Sequence, residues 1–464
     1  MSATNNTVTS QKVDRSRPPQ PGKPGQLVFP TFTVHHLKNG IPVYLVANHT
    51  QPYVSLQLVL RSGASSDGEL PGLAEFASNL LLSGAGERTA QQLAEEIDFL
   101  GATLDASAGR DETTVALGVL SSFITQGLDL MADVVLRPAF DAAELQRERK
   151  QSVAALKQNR SDPAYLAAVQ FRREIYLGGP YGTEIDGTEE SLKRITRNDC
   201  VQFHAKHYTP GNALFVAAGD VRAEELIAML DARFGEWSGD APERPVVVAE
   251  PPAGTPYIVV VDRPGSVQSS IRVGALGITR RDPDYIPAVI VNTLFGGYFN
   301  SRINNNLRER NGYTYGARSV QEALLNPGTF TVIVSVGTAV TDAALVEIFN
   351  ELRAITSDSV ADEELQMVKN FIIGSQALQI ETPGQVASFV RVIALYGLEK
   401  DYYQRFPAEV RKLTSDDLLR AARRCMLPDS MVAVVVGDAA VIREKLEAIA
   451  PVKVVDEKGA VVAG

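Results

Sequence analysis

The chain repeats itself, and that repetition constrains its fold more than any other feature. Glu144-Leu145-Gln146 recurs as Glu364-Leu365-Gln366, and Pro163 recurs as Pro383, both 220 residues later. Thr196, Asp199, Pro210, Gly219 and Asp220 then recur as Thr414, Asp417, Pro428, Gly437 and Asp438, each 218 residues later. The order is kept and the offset shifts once, by two residues, as a single loop deletion would produce. Self-similarity at a fixed period marks a duplicated structural unit, so the chain reads as two copies of one unit of about 220 residues.

Each copy mixes strands and helices. In the first, Thr33 to Leu37, Val43 to Val46, Val54 to Leu60 and Thr113 to Leu120 have strand character. Leu73 to Leu82 has helical periodicity. A further helix starts at Thr89, where Gln92 completes a capping box, and stops at Gly101. Amphipathic helices follow at Phe123 to Val135, Ala142 to Gln158, Ala164 to Tyr176 and Asp199 to His207. Strand Ala213 to Ala218 and helix Ala223 to Phe234 close the copy. Such a mixture predicts an α+β fold, with helices packed on a mostly antiparallel sheet. We expect that sandwich twice within each copy, four times in all. Between the copies, Pro242, Pro245, Pro251, Pro252 and Pro256 resist both helix and central strand and predict a semi-rigid connector. The expected organisation is a disordered tail over 1–26, a first lobe over 27–237, a Pro-rich linker over 238–256 and a second lobe over 257–464. The two lobes are expected to lie side by side rather than to fuse through one core.

Composition removes several function classes. Lys and Arg total 45 against 55 for Asp and Glu, a net charge of −10. That balance argues against a nucleic-acid or anionic membrane partner. Two cysteines cannot build a disulfide scaffold or a thiolate metal cluster. No run approaches the roughly 20 apolar residues that cross a bilayer. Met1 to Gly25 is rich in Ser, Asn, Thr and Pro and lacks the basic start and apolar core of a secretory signal. A cytoplasmic protein is expected, or a periplasmic one if a leader has been removed.

The histidines offer little for metal chemistry. His35 and His36 alternate faces of a strand, and His49 sits in a turn. His204 and His207 share a helix face but have no acidic base within that turn, so they read as structural. No Gly-x-Ser-x-Gly elbow is present, and Gly296-Gly297 lacks the other glycines of a dinucleotide loop.

Two stretches nevertheless carry a pattern. Arg61-Ser62-Gly63-Ala64 followed by Gly72-Leu73-Ala74-Glu75-Phe76-Ala77-Ser78-Asn79 resembles the insulinase (pitrilysin-type) zinc peptidases. Gly296-Gly297-Tyr298-Phe299-Asn300-Ser301-Arg302 and Leu307-Arg308-Glu309-Arg310-Asn311-Gly312-Tyr313-Thr314-Tyr315-Gly316 are similar to the second half of the mitochondrial-processing-peptidase-like members. The resemblance runs from about Phe29 to Val452 and includes the tandem repeat. It implies α/β sandwiches, four of which form a clamshell around a peptide chamber.

Active members of that family carry H-x-x-E-H on the helix predicted here at Leu73 to Leu82, two ligands one turn apart with the base beside them. The matching residues are Glu75, Ser78 and Asn79, and the third ligand position matches Ala155. Glu75 offers one oxygen, Asn79 is a weak neutral ligand, Ala155 offers nothing, and Ser78 is no base near neutral pH. The resemblance therefore implies that this chain binds no metal. In the second copy, Arg308 and Tyr315 match the pair that active members bring to the zinc centre. There they hold substrate carbonyls and stabilise the oxyanion. On residue type alone they read as a solvated helix end and an ordinary strand tyrosine; the surrounding Leu-Arg-x-x-x-Gly-x-x-Tyr pattern is what gives them a role. The expected function is the zinc-less subunit of a heterodimeric metallopeptidase whose homologous H-x-x-E-H partner holds the zinc. Peptides would be its substrates. The alternatives are a non-enzymatic core subunit or a peptide-binding protein that uses the empty chamber.

Overall fold

A computed structural model of the chain describes residues 28–247, 250 and 256–462. The expected tail over 1–26 lies outside the described residues, as do 248–249 and 251–255 of the linker. Each copy builds one six-stranded sheet. In the first, the strands run Thr33–His36, Pro42–Ala47, Ala213–Gly219, Tyr53–Leu60, Thr113–Leu120 and Thr103–Ala108 across the sheet. In the second they run Ala317–Gln321, Thr329–Gly337, Gln268–Leu276, Val432–Gly437, Tyr257–Asp262 and Val452–Val455. The two orders correspond strand for strand over five positions. At the sixth, Val452–Val455 takes the place that Thr33–His36 holds in the first lobe, but runs parallel to its neighbour.

Antiparallel pairs predominate, four of five in the first sheet and three of five in the second, as expected. The expected doubling of the sandwich within each copy is not observed. Among the described residues there is one large sheet per copy, and the only other sheet is the short pair Gly84–Ala85 with Arg88–Thr89. The reason is that Tyr53–Leu60, Thr113–Leu120 and Ala213–Gly219 all turn apolar side chains into a single core. That core also takes Phe76 and Leu80 of helix Leu73–Leu80, Leu128 and Met131 of helix Ile124–Leu136, and Phe234 of helix Ala223–Phe234.

The repeated residues are local structural signals. Thr196 and Thr414 each start a helix through a reciprocal capping box with Asp199 and Asp417. Pro163 and Pro383 occupy the first helical position of Pro163–Tyr176 and Pro383–Tyr396, where a missing N–H costs nothing.

Those two helices correct the expectation of lobes lying merely side by side. Helix Pro163–Tyr176, which belongs in sequence to the first copy, packs on the sheet of the second. Leu166, Phe171 and Ile175 are buried there against Val259, Val261, Val432, Val434 and Val436. Helix Pro383–Tyr396 does the reverse, setting Val386, Val390 and Leu395 against Val46, Val59, Leu214 and Val216 of the first sheet. The exchange explains why Ala213–Gly219 and Val432–Gly437 are buried at every residue, since each central strand is covered on both faces. Gly274 shows how close the packing is. A Cβ there would lie 2.7 Å from Phe171 Cζ and 2.1 Å from the Phe330 carbonyl.

Candidate functional site

Helix Leu73–Leu80 is held at its N-terminus by Asp67, whose carboxylate accepts from Gly72 N at 2.6 Å and Ala74 N at 2.8 Å. Burial pushes Asp67 up to about 7 in spite of these bonds. Gly72 has φ +92°, and a Cβ there would stand 2.8 Å from Gly187 Cα, so only glycine admits the chain to this helix. Glu75 and Asn79, one turn apart, then face helix Ala142–Asn159 across a cavity of about 280 Å³. Ala155 lines the same cavity, together with Glu148, Ser152 and Asp186.

Three of the four positions singled out in the first copy are thus brought together by the tertiary structure. Ser78 is not. It is fully buried, and its hydroxyl donates to the Glu75 carbonyl at 2.8 Å, so it lies outside the cavity lining.

The remaining side chains are tied to one another. Glu75 Oε2 accepts from Ala108 N at 2.7 Å, at the end of the edge strand Thr103–Ala108. Burial raises the Glu75 pKa, and the carboxylates of Asp186 and Glu148 raise it further, against the Ala108 and Ser78 hydrogen bonds. Asn79 Nδ2 donates to Glu148 Oε1 at 3.1 Å, and the same oxygen accepts from Ser152 Oγ at 3.0 Å. A tetrahedral zinc site needs at least three strong N, S or carboxylate donors. Here one position holds a carboxylate already committed to a backbone N–H, the next an amide whose nitrogen is engaged, and the third a methyl group. This donor set does not fit zinc. Glu148 and Asp186 add charge, but among the described residues no three His, Cys, Asp or Glu side chains come together as a ligand set. Sequence reasoning gave neither of these a role. Glu148 lies seven residues before Ala155 on the same helix, a spacing that puts both on one face and that could have flagged it.

The second copy builds its site from two wide helical turns, Thr293–Gly297 and Asn305–Arg310, each with π geometry. Such turns are rare and concentrate at functional sites. Gly296 permits the first to lie against strand Ala317–Gln321, since a Cβ would sit 2.5 Å from Ser319 N. Asn304 then fastens the following loop. Its Nδ2 donates to the Phe299 carbonyl at 2.7 Å, and its Oδ1 accepts from Ala317 N at 3.0 Å. Thr314 Oγ1 donates to the Ser335 carbonyl at 2.8 Å.

Held between these anchors, Tyr315 stands 98% exposed in a bend ahead of the strand. It lines an open cavity of about 600 Å³ with Tyr298, Phe299, Arg318 and Ile333. Arg308 does not line this cavity itself but stacks on Phe299, which does, its Cζ 4.6 Å from the ring centroid. Arg308 Nη1 lies 3.4 Å from Glu309 Oε1 yet makes no hydrogen bond. No residue of the first copy lines this cavity, and none of the second lines the Glu75 cavity.

The histidine pair is structural. His204 Nε2 bonds the Val135 carbonyl at 2.7 Å, while His207 Nδ1 bonds Ser62 Oγ at 3.0 Å, so the two rings serve different partners. Burial lowers the pKa of both, that of His207 to about 4.

Two lobes of corresponding sheet order, each covered by a helix of the other, thus carry the Glu75 cavity in the first copy and the Tyr315 cavity in the second. Residues 42–188 match the family described as insulinase (peptidase family M16), and residues 194–372 match the peptidase M16 inactive domain. The chain belongs to the insulinase family. It is 26% identical to an "uncharacterized zinc protease" of Rickettsia bellii over 352 residues, 74% of this chain and 82% of that one. It is 26% identical over 276 residues to a probable mitochondrial-processing peptidase subunit beta of Arabidopsis thaliana, 59% of this chain and 52% of that one. The solved structure of a peptidase M16 inactive domain from Pseudomonas fluorescens aligns with a TM-score of 0.82 at 26% identity, covering 88% of this chain and 97% of that one.

Proposed function

We propose that this chain is the zinc-less subunit of a two-subunit metallopeptidase. In this reading a homologous partner with an intact H-x-x-E-H helix supplies the metal, and this chain supplies Arg308, Tyr315 and half of the peptide chamber. The observation that carries the reading is the asymmetry between the two half-sites. In the Glu75 cavity the matching positions offer one carboxylate, an engaged amide and a methyl group, and no ligand set of three His, Cys, Asp or Glu side chains forms among the described residues. Tyr315, by contrast, offers its hydroxyl to solvent, and Arg308 keeps a buried N–H with no hydrogen bond. A guanidinium and a phenol are hydrogen-bond donors at neutral pH, as an oxyanion requires. One relative's name, a processing peptidase subunit, is consistent with a heteromeric assembly.

Arg308 holds a substrate carbonyl through its planar fork, and Tyr315 donates to the oxygen on which charge develops during peptide cleavage. The test is reconstitution. The chain is mixed with a homologue that carries an intact H-x-x-E-H helix, and peptide hydrolysis is assayed for each protein alone and for the mixture. Activity is expected in the mixture, with little or none in this chain alone. If Arg308→Ala leaves the turnover of an active mixture unchanged, the assigned role is wrong.

A further inference from the structure

Three arginines meet where the connector passes between the lobes. Arg61, at the end of strand Tyr53–Leu60, Arg244 of the connector and Arg281 of the second lobe line one cavity of about 270 Å³. Among the described residues, none of the three has a carboxylate within ion-pair distance. Arg61 Nε is buried and bonded to nothing. Burial first, and then the charge of Arg244, hold the Arg61 pKa below the usual arginine value. Arg281 Nε donates to the Tyr396 carbonyl, its one hydrogen bond among the described residues.

The single carboxylate in the wall, Asp111, is already engaged. One of its oxygens accepts from the Tyr181 hydroxyl at 2.5 Å and the other from Leu325 N at 3.1 Å. Glu243, beside Arg244 in sequence, does not line this cavity but the adjoining one, which shares Ser65, Ser66, Arg244 and Pro245 with it. Three positive charges therefore face at most one negative charge.

Clustered guanidinium groups repel one another unless an anion lies between them. Their planar forks match the oxygens of a phosphate-like group, two N–H donors at a time. Ser65, Ser66 and Asn326 add neutral polar groups to the wall. A cavity of about 270 Å³ with this lining accommodates a small anion. We propose that Arg61, Arg244 and Arg281 form a binding site for a small tetrahedral oxyanion of the phosphate class, which ties the first lobe, the connector and the second lobe together.

The full chain is titrated with sodium phosphate, sodium sulfate and sodium chloride at matched ionic strength, and Tm and binding heat are read. A saturable rise in Tm with phosphate or sulfate, absent with chloride, is expected, and the tighter of the two names the anion. Arg244→Gln changes an exposed connector residue outside the proposed peptidase machinery. It is expected to weaken binding at least about tenfold, the loss of a charge-assisted contact. Arg61→Gln should do the same; if that variant fails to fold, Arg244→Gln alone decides. Equal Tm shifts in all three salts, or an Arg244→Gln affinity within threefold of the parent, overturn the proposal.

Discussion

Suppose that the second lobe alone were to unfold. The first sheet would lose helix Pro383–Tyr396 from its outer face, and helix Pro163–Tyr176 would lose the sheet that it covers. Leu166, Phe171 and Ile175 in one direction, and Val386, Val390 and Leu395 in the other, are each no more than 6% exposed. Burying one such side chain contributes about 1.5–3 kcal/mol, so the six together contribute about 9–18 kcal/mol. The whole net stability of a folded protein is about 5–15 kcal/mol. Neither lobe can therefore open without carrying the other with it, and unfolding is expected to be a single transition.

Phe171→Ala is the perturbation to use, with an expected cost of about 3–5 kcal/mol. Urea unfolding is followed by far-ultraviolet circular dichroism, which reports on both lobes, and by the fluorescence of Trp237. That residue is the single tryptophan, and it packs against the first-lobe core. The two probes should give coincident curves for the parent and for the variant. Although Phe171 packs on the second sheet, the Trp237 curve should move to lower urea as far as the dichroism curve does. Two separated transitions in the parent, or a Phe171→Ala variant whose Trp237 midpoint stays in place, would refute the reasoning.

Other outcomes follow from the site and from the buried titratable groups. Tyr315→Phe removes one exposed hydroxyl, so its Tm should match the parent's. In the reconstituted mixture kcat should fall about 10²–10³-fold, the usual loss of one oxyanion donor, and equal kcat values would contradict the assignment. His207 has a folded pKa of about 4, below the unfolded value of about 6.5. Its contribution is therefore complete above pH 6.5 and is lost as the pH falls towards 4, up to about 3 kcal/mol. His207→Gln should flatten that part of the stability curve measured by urea titration at successive pH values. Glu75→His combined with Asn79→His and Ala155→Glu restores three strong donors around the Glu75 cavity. One tightly bound zinc per chain, measured by elemental analysis, is the expected result, and a metal-free variant would show that the cavity has lost the geometry as well as the ligands.

Much of this was legible in the chain because the signals are local. The capping box at Thr89 fixed a helix boundary through contacts only three residues long, while those at Thr196 and Thr414 registered only as repeated residues. Alternating apolar residues marked Tyr53–Leu60 and Thr113–Leu120. Strand Thr103–Ala108 escaped notice although it alternates strictly, because its apolar positions are Leu104, Ala106 and Ala108 and its polar ones include Asp105, mostly residues of low strand propensity. Glu75 and Asn79 share a helix face by spacing alone. Their neighbours Glu148 and Asp186 arrive from 69 and 107 residues further along, at distances where periodicity says nothing.

By itself, the sequence determined the duplication, the α+β character of each copy and the lack of an H-x-x-E-H motif. These rest on residue identity and short-range spacing, which a linear chain displays openly. The three-dimensional structure decided which sheet each apolar helix covers. The stripe on Pro163–Tyr176 demands burial but carries no address, and only the mutual fit of two twisted sheets sends it across to the other copy. The same packing made one sheet per lobe rather than two, turned Ser78 inward, and held Tyr315 out into solvent.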